Sequence, residues 1–430
     1  MIVFLVFFGG LIVLILAGIS ISFAIGGTSL IAMIMESGIT NLPFGIIAQK
    51  MTGGVNSFTL LAIPFFLFAG KLMNKTSITK RIAIFANYIV GWIPGGLAHS
   101  NIMSSLLQAG MCGSAVADAA GLGAVQLYAM KNAGFKTEFA AACTASAAVI
   151  APIIPPSIPL VVFGVAGSVS INRLFLGGII PGILICLSLM TMVFILSLKR
   201  KYPRTAFPGW KLFFQAGIDA FLPFMTPVIL IGGIMLGIFT ATEAAVVASL
   251  YAFILTVFIY REATIRDVLN VCMEVVRESA AIMLIVSVSS LYGFLLIKTQ
   301  MPSMVMKAML GLTANKYLVL FLINIFLLIF GLAMETNSAI IILTPLILPI
   351  TTALGIDPVH FGLVMILNLM LGLLTPPVGM LLFVVCRVAK LPFDVMVKSI
   401  IPFYIPLLAI LLMVTYLPQI VLWLPNLIFG

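Results

Sequence analysis

Charge is what this sequence lacks. Only 8% of its 430 residues are Asp, Glu, Lys or Arg, and the acids number just 12. A soluble domain carries charge on about a quarter of its residues, so a soluble globular protein is excluded. Histidine is nearly missing too. His99 and His360 are far apart in the chain and form no ligand pair for a transition metal. The five cysteines (Cys112, Cys143, Cys186, Cys272 and Cys386) are scattered and make no CxxC pair. They supply no disulfide framework and read as small packing residues, four in apolar segments and Cys272 in an amphipathic one. No GxxxxGK[S/T] loop or GxSxG elbow occurs, so ATP-driven work by this chain alone is excluded. No acid/base or metal constellation marks an enzyme. The first apolar run has no basic region before it and leads into more apolar sequence, so it reads as a retained span and not a signal peptide.

What is present is hydrophobic sequence: 63% of the residues, with a mean hydropathy of +1.29. Apolar runs long enough to span a bilayer include 2–17, 175–198, 221–239, 244–260, 317–333 and 400–417. The chain therefore reads as an all-α polytopic membrane protein. Its net charge of +10 lies in short loops and marks topology, not nucleic acid. The partner implied by composition is the lipid bilayer.

One pattern is written twice. Met111–Asp118 is a polar, small-residue break in apolar sequence, and Pro155-Pro156-Ser157 follows, Pro155 lying 42 positions after Gly113. Met334–Ser338 and Thr375-Pro376-Pro377-Val378-Gly379 repeat it, Pro376 lying 42 positions after Met334 and 221 after Pro155. Ile180-Pro181 and Ile401-Pro402 keep the same 221 shift. Lipid offers no hydrogen bonds, so non-helical backbone at membrane depth must be buried or line a wet cavity. Carbonyls freed by Gly and Pro can coordinate Na⁺, and half-helix N-termini can face an anion. Ser114, Ser157, Thr336, Asn337, Ser338 and Thr375 add side-chain oxygens, a donor set suited to a hard cation. The expected Na⁺ contacts are Gly113, Ser114, Pro155, Pro156, Thr336, Asn337, Ser338, Thr375, Pro376 and Gly379. Asp118 and Glu335 are the acids nearest the breaks. At membrane depth each is a candidate for solute or ion contact, and the alternative is that each holds the shape of its hairpin tip. With Ser114 and Ser157 they make up the expected solute contacts.

The shift divides the chain into repeats 1–198 and 221–430 joined by a connector, 199–220. Each repeat parses as five spans, one of them broken, plus a re-entrant hairpin. An odd number of crossings turns the second copy upside down, giving two inverted repeats. The first repeat has spans near 2–18, 20–35, 57–73, 138–170 and 174–198, with a hairpin near 97–131. The second has spans near 221–239, 243–260, 279–297, 359–388 and 399–424, with a hairpin near 316–354. Scaffold parts are 1–73 and 221–297; hairpin and broken-span parts are 97–170 and 316–388. Loop charges fit this parse. Lys71, Lys75, Lys80, Arg81, Lys131, Lys136, Lys199, Arg200, Lys201, Arg204, Lys211, Arg261, Arg266, Arg277, Arg387, Lys390 and Lys398 share one side, which is cytoplasmic by the positive-inside rule. The other side is expected to keep only Lys50, Lys298, Lys307 and Lys316, with both termini facing it. Residues 262–278 read as a helix lying in the cytoplasmic interface, either a plain connector or a lever. Residues 41–56 are its counterpart in the outer interface. Glu243 is expected to cap a helix. Lys298 could snorkel or meet solute or partner. Ser104, Ser105, Ser146, Ser287, Ser289 and Ser290 are expected to pack helices closely.

At Gly113–Ala119, Gly237–Ala245, Gly355–Gly362 and Gly372–Gly379 the chain resembles the large membrane subunit of the tripartite ATP-independent periplasmic (TRAP) transporters, and the resemblance covers essentially its whole length. It implies a secondary importer in the inner membrane, driven by a Na⁺ gradient. A periplasmic binding protein delivers an organic acid (sialic acid, a C4-dicarboxylate or similar), a small four-helix membrane subunit braces the large one, and the hairpin-bearing part moves like an elevator. Carried over by position, Ser114, Asp118 and Glu335 fall in the solute and ion cavity, and the Pro-Pro breaks fall near the Na⁺ sites. Many family members have Asp where Glu335 stands. The chain begins at the large subunit's first span, so the small subunit is expected as a separate chain. The competing readings are a stand-alone Na⁺-coupled anion carrier with no binding protein, a channel or membrane scaffold, and a membrane enzyme.

Overall fold

Apolar sequence that must satisfy its own backbone in lipid forms helices, and the computed structural model, which describes residues 5–312 and 315–430, contains no strand among them. Residues 2–4 of the first expected span lie outside the described residues. Its remainder is a π-helical turn, Leu5–Gly10, running into Leu11–Leu16.

Among the described residues, six helices are long and apolar enough to cross a bilayer: Ile171–Arg200, Trp210–Met235, Ala241–Ile259, Ile265–Lys298, Thr336–Ala353 and Phe393–Tyr416. A seventh candidate is the pair Phe44–Val55 and Phe58–Asn74, bent by 53° at Asn56-Ser57. The expected ten spans are thus not ten long helices. The broken spans are built from Thr137–Ala147 with Ile158–Gly167, and from Pro358–Leu374 with Met380–Ala389. No one of these pieces needs to cover the roughly 30 Å apolar layer alone. The first hairpin comprises Gly96–Cys112, Ala115–Ala120 and Leu122–Asn132; the second comprises Lys316–Ala333 and Thr336–Ala353.

Three features depart from the sequence parse. The interfacial helix expected over 262–278 is not separate. It is the first half of one continuous helix, Ile265–Lys298, because no Gly or Pro interrupts the chain before Gly293. Its 34 residues span about 51 Å at 1.5 Å per residue, well beyond the apolar layer. The last span stops at Tyr416, and after Pro418 a short helix, Gln419–Phe429, folds back onto Ile171–Arg200. Arg173 adds a cation to the end expected to hold only four lysines, since neighbouring Asn172 shares a cavity wall with Ser57 and Thr240.

The amphipathic half of Ile265–Lys298 is clamped at its charged end. Lys71 meets Glu278 at 2.6 Å and Glu274 at 3.4 Å, and Lys75 meets Glu274 at 3.0 Å. Just before this helix, Glu262 accepts from the Ser77 backbone N–H at 2.6 Å and pairs with Arg81 at 3.5 Å. Partial burial pushes the Glu262 carboxyl up, but the Ser77 and Arg81 contacts outweigh it and hold the group below its ordinary range. Helix starts are capped as their sequences dictate. Glu243 closes a capping box with Thr240, accepting from its N–H and hydroxyl at 2.8 Å, and Asp267 does the same for Thr264. Lys298 is paired with Glu36 at 2.7 Å.

Between the halves only 201–209 is non-helical. It is pinned to the joint ahead of the first hairpin, Thr205 N–H donating to Gly91 O (2.9 Å) and Gly95 N–H to Pro203 O (3.2 Å).

Candidate solute and ion site

The first hairpin tip rests on the first break. Gly113 turns the chain with φ +56°, and a Cβ there would lie 2.4 Å from Pro156 O, so only glycine allows this approach. Ser114 then caps Ala115–Ala120, its hydroxyl accepting from Ala117 N–H at 3.4 Å. Across the break, buried Ser157 caps Ile158–Gly167 by accepting from Leu160 N–H at 3.3 Å, and its hydroxyl donates back to Pro152 O. The Pro155-Pro156 and Pro376-Pro377 peptide bonds are both cis.

The second tip uses the same design with other residues. Glu335 lies 221 positions after Ser114 and is likewise the helix cap. Its Oε2 accepts from Ser338 N–H (3.1 Å) and hydroxyl (3.3 Å), and its Oε1 from Asn337 Nδ2 (2.9 Å). Thr375 donates to Leu371 O at 2.7 Å, and Gly379, at φ +55°, opens the helix Met380–Ala389. The hairpin arm and the pre-break helix touch through backbone: a Cβ on Gly372 would lie 2.5 Å from Gly331 Cα.

The halves cross at this point. The first tip helix, Ala115–Ala120, packs on Met380–Ala389 of the second half. The second tip helix, Thr336–Ala353, packs on Ile158–Gly167 of the first. Each tip is therefore completed by the post-break helix of the opposite half.

Among the expected site residues, several oxygens are left open. Asp118 is buried; one carboxylate oxygen accepts from Ser105 at 2.8 Å, and the other has no hydrogen-bond partner among the described residues. Thr336 Oγ1 and Asn337 Oδ1 are also buried and have no hydrogen-bond partner among the described residues. Buried polar groups of this kind are rare because each costs free energy. Neither Asp118 nor Glu335 has a cationic partner within ion-pair range among the described residues. The donor set is oxygen only, and no cluster of three His, Cys, Asp or Glu exists among the described residues. Such a set fits a hard monovalent cation or a solute with hydrogen-bond donors better than a transition metal. Asp118 and Glu335 have separate hydrogen-bond partners, Ser105 for the first and Asn337 and Ser338 for the second.

Sequence reasoning missed three supports. Ser105 does more than pack helices, since it positions Asp118. Tyr404 on the last span donates to Leu374 O at 2.5 Å, the last residue before the second break. A buried chain runs from Asn368 Nδ2 to Asn324 Oδ1 (2.9 Å) and from Asn324 Nδ2 to Thr415 (2.9 Å), and Asn101 bonds Thr144 at 2.7 Å in the first half. Isolated Asn residues in apolar helices were the available signal. The packing serines divide: Ser287 bonds Met51 O at 3.0 Å and Ser290 backs onto Gly54, while Ser289 has no hydrogen-bond partner. Cys143, Cys186, Cys272 and Cys386 are free thiols, and the side chain of Cys112 lies outside the described residues.

The model of the tripartite ATP-independent periplasmic transporter, DctM component, matches residues 8–420. The chain belongs to this DctM family. A sialic acid TRAP transporter large permease protein of Vibrio cholerae is 42% identical over 97% of both chains. A C4-dicarboxylate TRAP transporter large permease protein from the same species is 34% identical over 96% of both. An isethionate TRAP transporter permease protein of Oleidesulfovibrio alaskensis is 38% identical over 96% of this chain but only 65% of its own length. In fold, this DctM permease is similar to the crystal structure of the YdaH transporter of Alcanivorax borkumensis, with a TM-score of 0.63 at 13% identity over 88% of each chain. A multi-pass membrane permease subunit is therefore what the family and the apolar helices together establish.

Proposed function

We propose that this DctM-family chain is the solute-moving subunit of a Na⁺-coupled importer for an organic acid. The observation that carries the reading is the crossed pair of hairpin tips, with three buried, unpartnered oxygens on Asp118, Thr336 and Asn337 beside them. Cations binding there satisfy those oxygens and the break carbonyls, and fix the tips in one arrangement. The solute carboxylate then meets hydroxyls, half-helix N-termini and bound cations, not bare acids.

The two repeats lie inverted, as their odd crossing number requires, and the hairpin-bearing part slides past the scaffold formed by Phe44–Asn74 and Ile265–Lys298. The Lys71–Glu278 and Lys71–Glu274 pairs tie that scaffold together at its cytoplasmic end. The relatives' names support a carboxylate solute such as sialic acid or a C4-dicarboxylate. Family membership supports a periplasmic binding protein and a small membrane subunit as partners, in the inner membrane with both termini on the periplasmic side.

The test is uptake of labelled organic acids by proteoliposomes holding this chain with its small subunit and binding protein. Uptake only with an inward Na⁺ gradient and the binding protein supports the reading. Uptake without the binding protein makes the chain a stand-alone carrier. Uptake indifferent to Na⁺ removes the coupling.

A further inference from the structure

The connector between the two repeats carries charge of one sign. No Asp or Glu occurs between Glu138 and Asp219, yet Lys199, Arg200, Lys201, Arg204 and Lys211 all fall in that interval. All five are exposed, and none makes an ion pair among the described residues. Arg200 leans over the Phe139 ring at 5.5 Å. The other four have no such ring beneath them.

A basic loop between spans ordinarily marks topology and nothing more. This one has a fixed backbone. Lys201 ends the helix Ile171–Arg200 in the left-handed region, at φ +53°, and the Tyr202 N–H returns to Ser197 O at 3.1 Å. The Tyr202 ring lies 4.6 Å from that of Phe135 and 4.7 Å from that of Phe139. Pro203 and Thr205 are bonded to Gly95 and Gly91. Lys201 and Arg204 flank these held residues, so their backbone positions are set before any ligand arrives.

Beside the cations stands an exposed aromatic face. Trp210 is 68% exposed and Phe214 61%. Their rings are 6.0 Å apart, Phe207 lies 5.4 Å from Trp210, and Phe213 ties the group to Phe85 at 5.8 Å. Trp210 begins a helix apolar enough to span the bilayer, so this face sits where the chain leaves the lipid. Cations next to Trp and Phe at that level match the two parts of an acidic phospholipid, its phosphate and its upper acyl chains. A zwitterionic headgroup brings its own cation and gains less from four unneutralised ones.

We infer that the connector 199–211, with the face of Trp210 and Phe214, is a binding surface for anionic phospholipid in the leaflet it faces. Lys201, Arg204 and Lys211 meet the headgroup phosphates, and the aromatic rings lie against the acyl chains. The surface is built from residues outside the solute and ion site and does not depend on the transport reading.

The test reads Trp210 fluorescence in the full-length chain, with Trp92→Phe and Trp423→Phe leaving Trp210 as its one tryptophan. The protein is placed in phosphatidylcholine vesicles holding a minor fraction of brominated phosphatidylglycerol or, separately, of brominated phosphatidylcholine. Brominated phosphatidylglycerol is expected to quench more strongly at equal fraction, its association being about fivefold stronger for each cation engaged. High salt erases the difference. Lys201→Gln/Arg204→Gln/Lys211→Gln abolishes the preference, while unchanged quenching by brominated phosphatidylcholine reports an intact fold. Arg266→Gln/Arg277→Gln/Arg387→Gln removes three exposed cations elsewhere and keeps the preference. Equal quenching by the two lipids overturns the inference. So does loss of the preference in both triple variants alike, which is an even attraction to net charge. Loss of the preference on adding the small membrane subunit overturns it too, because protein then covers this face.

Discussion

Gly331 and Gly372 meet backbone to backbone, so that a methyl group on Gly372 would stand 2.5 Å from the Gly331 Cα. The contact joins the second hairpin to the helix leading into the second break. Gly372→Leu is expected to destabilise the protein by about 1–3 kcal/mol through overpacking, read as a lower melting temperature of the detergent-purified protein. Gly355→Ala, at a glycine with nothing near its Cβ but a positive φ, should cost about 1 kcal/mol through strain alone.

Asp118 and Ser105 separate a charge role from a shape role. Ser105→Ala removes one hydrogen bond to a buried carboxylate and should cost about 1–3 kcal/mol, while uptake keeps its Na⁺ dependence. Asp118→Asn preserves shape and removes charge. Folded protein with uptake reduced about tenfold or more is expected, as measured in proteoliposomes. Unchanged uptake would make Asp118 a brace only.

Glu335 is spent on capping, yet its carboxylate has no counter-cation. Glu335→Gln keeps an acceptor for Ser338 N–H, so the melting temperature should move little. The Na⁺ concentration for half-maximal uptake should rise several-fold. Glu335→Ala should lose both, with about 1 kcal/mol of the loss coming from the missing cap.

The clamp at Glu262 predicts an acid-sensitive stability. Glu262 is held below its ordinary value, so its contribution is complete above the unfolded value of about 4.5 and is lost as pH falls through the folded value. The wild-type melting temperature should exceed that of Glu262→Gln at pH 7, with the gap closing below about pH 4.5. A gap independent of pH would assign the effect to packing.

The breaks and their 221-residue spacing were legible because lipid forces polar and Pro-Gly interruptions to stand out in apolar sequence. The role of Glu243 was legible because a capping box is local. Contacts between halves were not. Nothing in the Ala115–Ala120 sequence says that it rests on Met380–Ala389, since two small apolar surfaces carry no address. The continuous Ile265–Lys298 helix was hidden because amphipathic and apolar stretches read as separate elements although no breaker divides them. Ser105 gave no sign of its role, because a serine in an apolar helix most often bonds its own turn.

The exchange of post-break helices bears on how such a chain could have arisen. Neither half holds a finished tip, for the helix that seals it is encoded some two hundred residues away. A gene of half the length would yield a working site only by pairing with its own copy and trading those helices. Held in one chain, the two halves make that exchange without dependence on concentration, and each tip can keep its own cap, serine on one side and glutamate on the other.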